Sequence, residues 1–149
     1  MSRYARVKQK VWNSPKFRRL HGDAKLLWLY LLTSPHGNMI GLYVLKPGYA
    51  QADLGWTGLL GGRRYNKALG LLVEAGLILH DADTHMVLIY NYLEHNPLDN
   101  PNQLKSAAKR FDELPDCPLL EKFYRIVEAK GEIVYERMLE PLRNRFERV

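Results

Sequence analysis

The 149-residue sequence predicts a mainly α-helical protein with a small antiparallel β-wing: a winged helix-turn-helix followed by a C-terminal helical extension. Three observations predict it. Residues 46–92 read KPGYAQADLGWTGLLGGRRYNKALGLLVEAGLILHDADTHMVLIYNY, which parses as short helix, turn, longer helix and two-stranded hairpin, in winged-helix order. The run LLWLYLL at 26–32 is apolar nearly all round, as in a helix covered on more than one side. Beyond residue 96, apolar residues recur at helical spacing in three stretches. The expected division is a winged-helix domain over 1–95 and a helical extension, for packing or dimerisation, over 96–149.

The first element is RYARVKQKVWNSPKFRRL, the most basic stretch of the chain. Val7, Gln9 and Val11 alternate with Lys8 and Lys10, which suits an extended arm or an edge strand, and Asn13, Ser14 and Pro15 signal a turn. Two readings stand: an arm on DNA phosphates or in a groove, or a charged edge that discourages sheet-to-sheet pairing. Asp23 is positioned to cap the helix that follows. That helix should be central, with the helix-turn-helix on one side and the terminal segments on the other. GLYVL at 41–45 reads as a short strand pairing with the wing.

Lys46 followed by Pro47 starts the next helix, because proline's missing N–H costs nothing in a first turn. Gly55 ends it in the left-handed conformation. The longer helix is expected over 60–75 and stops at Gly76. Leu77, Ile78 and Leu79 form one strand and residues 87–90 the next, joined by the polar turn HDADTH. A linker rich in Asn and Pro leads to a helix beginning at Asn100 and Pro101. A second helix begins at Cys117 and Pro118 and ends at Gly131. A third spans 132–149, with Pro141 expected to kink or split it.

Charge is divided unevenly. Residues 1–79 hold twelve Lys/Arg against three acids, a surplus of nine positive; residues 80–149 hold ten against thirteen, a surplus of three negative. Release of counterions from phosphates makes such a basic half favourable on nucleic acid; the bland alternative is a solvated surface that keeps the chain soluble. In the longer helix, Tyr65, Leu69, Leu72 and Ala75 fall on one inward face. Arg63, Arg64, Asn66 and Lys67 fall largely off it, in the turns that enter a major groove. Arginine bonds guanine bidentately and asparagine bonds adenine. The expected DNA-binding set is therefore Arg63, Arg64, Tyr65, Asn66 and Lys67, with phosphate contacts from Lys46, Arg3, Arg6, Lys8 and Lys10. A purely solvated helix surface is the alternative.

Other chemistries find little support. His80, Asp81, Asp83 and His85 at the wing tip match no standard metal spacing, so a polar turn is the reading and no metal is expected. The glycines at 55, 58, 61 and 62 form no phosphate loop, and no nucleophile motif occurs, so neither a cofactor nor an enzyme is expected. The single Cys117 suits a reducing, cytoplasmic setting. No apolar run is long enough for a membrane span. The apolar faces of the extension exceed what a thin winged helix would cover, which motivates a homodimer.

The segments WNSPKFRRL, DAKLLWLYLLTSPHGNMIGLY, AQADLGW, LVEAGLILHD and YNYLEHNPLDNPNQLK together resemble the N-terminal winged-helix domain of phage and prophage replication initiation proteins, the replisome-organiser and DnaD-like group. The resemblance covers roughly residues 3–120. It implies binding of double-stranded origin DNA, self-association and loading of replication partners such as a helicase or its loader. By position, the family's recognition helix corresponds to residues 63–67. Many of these proteins continue into a further domain for partner contacts. A transcriptional regulator shares the DNA-binding half, and a winged helix serving only protein–protein contact in a replisome is a further alternative.

Overall fold

The computed structural model describes residues 4–147. In chain order it runs α1 (Pro15–Arg18), α2 (Gly22–Thr33), β1 (Leu42–Val44), α3 (Pro47–Leu54), α4 (Gly61–Glu74), β2 (Ile78–Asp81), β3 (Met86–Ile89), α5 (Tyr92–His95), α6 (Pro101–Glu113), α7 (Pro118–Lys130) and α8 (Glu136–Phe146). It is mainly helical with a three-stranded antiparallel sheet ordered β1-β3-β2. Leu42 pairs with Leu88 on one side of β3 and Leu79 with Leu88 on the other, so β1 joins the wing hairpin as expected of a winged helix. Proline opens α3, α6 and α7, where its locked φ suits the first turn. Gly55 and Gly131, at φ +74 and +65, stop α3 and α7 in the left-handed region.

Side chains alternate across the sheet and supply two cores. Tyr43, Ile78, Val87 and Ile89 join α2 and α4 through Leu27, Leu31, Leu72 and Tyr65. Leu42, Met86 and Leu88 join the extension through Phe111, Leu120, Phe123, Tyr124 and Met138. β3 is therefore buried along its whole length, since successive residues point to opposite faces and both faces are covered.

Four expectations are corrected. Residues Gln9–Asn13 form a 3₁₀ turn instead of an extended strand, and only Val11 of the five is buried. His21 caps α2, its Nδ1 accepting from the Asp23 N–H at 3.2 Å, and Asp23 stands in the first turn. The extension lies on the second face of the sheet and does not fold onto α2. Its apolar faces are covered by the sheet and by one another. Finally, Pro141 does not split α8, which is continuous from Glu136 to Phe146 after a 3₁₀ turn at Ile133–Tyr135.

Candidate nucleic-acid interface

The candidate surface begins with how α4 is seated. Gly61 comes so close to the Trp56 carbonyl that a Cβ there would lie 2.2 Å from the oxygen. Only glycine permits that approach, so this glycine serves an internal contact. With its amide oriented to satisfy both partners, Gln51 of α3 accepts from the Gly62 N–H at 2.9 Å and donates to the Pro47 carbonyl at 3.3 Å. α4 then buries Tyr65, Ala68, Leu69 and Leu72. Its outward face, at spacings of three and four, carries Arg63, Asn66, Lys67 and Gly70, all exposed. Among the described residues neither Arg63 nor Lys67 forms an ion pair.

Arg64 belongs to a different structure. Its Nε and Nη2 donate to the two Asp23 oxygens at 2.8 and 2.9 Å, and its Cζ lies 4.7 Å from the centre of the Trp56 ring. The paired hydrogen bonds hold the Asp23 carboxyl below the usual carboxylate range and raise the arginine. Arg64 is thus a strut between α4, the start of α2 and the turn before α4, and its fork is engaged within the chain. Tyr65 is withdrawn from the predicted contact set. Its side chain is 1 % exposed, and burial pushes its phenol up to about 12.

The other predicted cations do not gather at α4. Lys46 is exposed at the start of α3, next to Leu45, whose N–H donates to the His85 carbonyl of the wing turn at 2.9 Å. Arg6, Lys8 and Lys10 keep exposed side chains, but their backbone is tied down: Asn96 accepts from Arg6 N–H at 2.7 Å and donates to its carbonyl at 3.0 Å. The Lys8 N–H donates to His95 Nδ1 at 3.3 Å. Burial, then the nearby Lys8, holds His95 below the ordinary histidine value, as suits an acceptor nitrogen. Arg3 lies outside the described residues.

Lys16 was not in the predicted set, yet its Nζ reaches the glycine stop of α4, 3.5 Å from where a Gly76 Cβ would be. Basic groups therefore stand at both ends of a helix about 20 Å long. A lysine at a helix C-terminus also complements the macrodipole. Local sequence carries no sign of this contact, because it joins residues sixty positions apart.

The wing tip is folded on itself. Asp81 accepts from the Thr84 N–H and hydroxyl at 3.0 and 2.6 Å, which lowers its pKa, and the Thr84 oxygen lies 3.5 Å from the Cys117 sulfur at the start of α7. Cys117 in turn caps α7 by accepting from the Leu119 N–H. The extension thus braces the wing. Among the described residues no group of three His, Cys, Asp or Glu gathers as a metal site, and no helix is long and apolar enough to cross a membrane.

Of the front half's other acids, Asp53 accepts from the Tyr30 hydroxyl at 2.5 Å and pairs with His36 at 3.1 Å. Burial, and then Asp53, push Tyr30 up to about 12. Two of the three acids in residues 1–79 are therefore occupied by neighbours, and Glu74 stands exposed near the end of α4. Comparison with family models, curated proteins and solved structures returned no match for this chain.

Proposed function

We propose that this chain binds double-stranded DNA through the outward face of α4, and that it acts in the cytoplasm in phage or prophage replication initiation. The observation that carries DNA binding is the exposed set Arg63, Asn66 and Lys67 on the second helix of a helix-turn-helix, with no ion pair to the two cations. A polyanion supplies the missing charge, and a major groove accepts a helix of this width. Gly70 adds support. It stands on the same face with nothing within 4 Å of a Cβ position. A glycine inside a helix costs about 1 kcal/mol against alanine, and close approach by an outside surface gives it a purpose.

Arg64 positions the helix, and Arg63, Asn66 and Lys67 read or grip the duplex. Lys16 holds phosphate at the far end of α4. The arm cations Arg6, Lys8 and Lys10, and Lys46 by the wing, are auxiliary phosphate contacts that bind all sequences alike. The replication role rests on the family resemblance alone, and so do contacts with a helicase or loader. A transcriptional regulator would use the same surface, so the genomic position of the bound site, at an origin or a promoter, separates the two.

The test is a duplex titration at several salt concentrations for the wild type and the R63E/K67E variant, with Arg64 left in place so that the strut to Asp23 survives. The wild type should show a steep negative dependence of log affinity on log salt. The variant should lose roughly 100-fold at low salt and flatten the slope by about two units. Equal binding by the two proteins, with both folded, would remove α4 from the interface. An absence of duplex binding at low salt would instead favour a protein-binding module.

A further inference from the structure

The turn between α3 and α4 carries a feature that phosphate contact does not explain. Leu59 is 103 % exposed and Leu60 69 %. They are not loose ends of a floppy loop. Trp56, at the start of the turn, is buried beneath Arg64, and Gly61, at its end, is locked against the Trp56 carbonyl. Gly58, at φ +87, makes the bend, and its carbonyl accepts from the Gly61 N–H at 3.2 Å. Both ends of the turn are therefore braced, and the two leucines are held outward just before the first turn of α4.

The surroundings decide what can cover them. Arg63, Arg64 and Lys67 follow within one or two helical turns, and the nearby Asp23 is already engaged by Arg64. A second copy presenting the same patch would set these cations against their equivalents. A duplex meets both requirements, because its phosphates match the cations and its major groove displays the thymine C5-methyl as an apolar group. We infer that Leu59 and Leu60 form an apolar contact with thymine methyl groups, beside the polar contacts of Arg63, Asn66 and Lys67. This rests on the DNA-binding reading above and gives it a sequence preference that charge alone cannot supply.

The experiment compares an alternating dA·dT duplex with the same duplex carrying deoxyuridine for thymidine, which removes every C5-methyl and keeps every charge. The proteins are the wild type, L59S/L60S, the single variant L59S and R63E/K67E. Both leucines are exposed and neither belongs to a buried cluster, so L59S/L60S should fold; melting curves check this, and L59S changes only a fully exposed side chain. The wild type should prefer the thymidine duplex by about fourfold for each methyl group covered. L59S/L60S should lose that preference with an unchanged salt slope, and L59S should lose part of it. R63E/K67E should lose affinity for both duplexes. A wild type that binds the two duplexes equally, or an L59S/L60S protein that keeps the wild-type preference, would overturn the inference while leaving DNA binding intact. A wild-type dimer that L59S/L60S converts to a monomer, with the preference unchanged, would assign the leucines to a second copy instead. Binding to neither duplex at low salt would overturn both readings together.

Discussion

α4 and α7 are helices of nearly equal length with polar outer faces, yet they treat their charges differently. On α7, Arg125 pairs with Glu121 and with Glu147, and Lys130 pairs with Glu94. Elsewhere in the extension Arg110 pairs with Glu113 and Arg145 with Asp116. On α4 only Arg64 is paired, through Asp23, and Arg63 and Lys67 face outward without an ion pair among the described residues. The difference lies in where unpaired cations stand, which a net charge summed along the chain does not show. Among the described residues four of the nine cations of the extension are paired with acids, whereas α4 keeps two of its three available. Exposed pairs of this kind add little stability, so their consequence is chiefly where free charge remains.

The comparison assumes that both halves belong to one cooperative unit, joined through the sheet. The largest expected effect tests that assumption. Leu88 is buried on the extension side of β3. L88A should cost about 2–5 kcal/mol, a fall in melting temperature on the order of 10 °C, in a single transition. Two separated transitions, with the front half melting as in the wild type, would break the shared-sheet account.

A smaller effect is expected where α4 is seated. G61A puts a Cβ against the Trp56 carbonyl, and the forced shift should cost about 1–3 kcal/mol. Because the first turn of α4 moves with it, duplex affinity should fall as well. A G61A protein with wild-type melting would show that the seat of α4 yields to the added methyl group. The smallest expected change in stability is a gain. G70A fills open space on the outward face and should raise stability by about 0.5–1 kcal/mol. The same methyl group should weaken duplex binding if that face meets DNA closely. Stability and affinity moving together in G70A would leave Gly70 without the role assigned to it.

Much of the fold was legible because its boundaries are set by local chemistry. Proline at a first turn and glycine in the left-handed region fix α3 and α7 whatever they pack against. The segment at residues 9–13 departs from the expectation because only Val11 of its five residues is buried, so no alternating face packs against a neighbour. The docking of the extension has a mark in the sequence: MVLI in β3 is apolar without alternation, as in a strand covered on both faces. For the candidate site, the outward position of Arg63, Asn66 and Lys67 followed from helical spacing. The engagement of Arg64 did not, since its partner Asp23 lies 41 residues away. Tyr65 had been assigned to the inward face by the same spacing, and its burial agrees with that assignment over its inclusion among the contacts.

The most direct test sets the two regions against each other at constant net charge. Lys122 and Arg137 are exposed cations of the extension without an ion pair among the described residues. K122E/R137E therefore changes the formal charge by the same amount as R63E/K67E. Duplex affinity measured for both at one low salt concentration should fall roughly 100-fold for R63E/K67E and by no more than about threefold for K122E/R137E. Equal losses in the two variants would mean that net charge, and not the face of α4, governs binding, and would contradict the account.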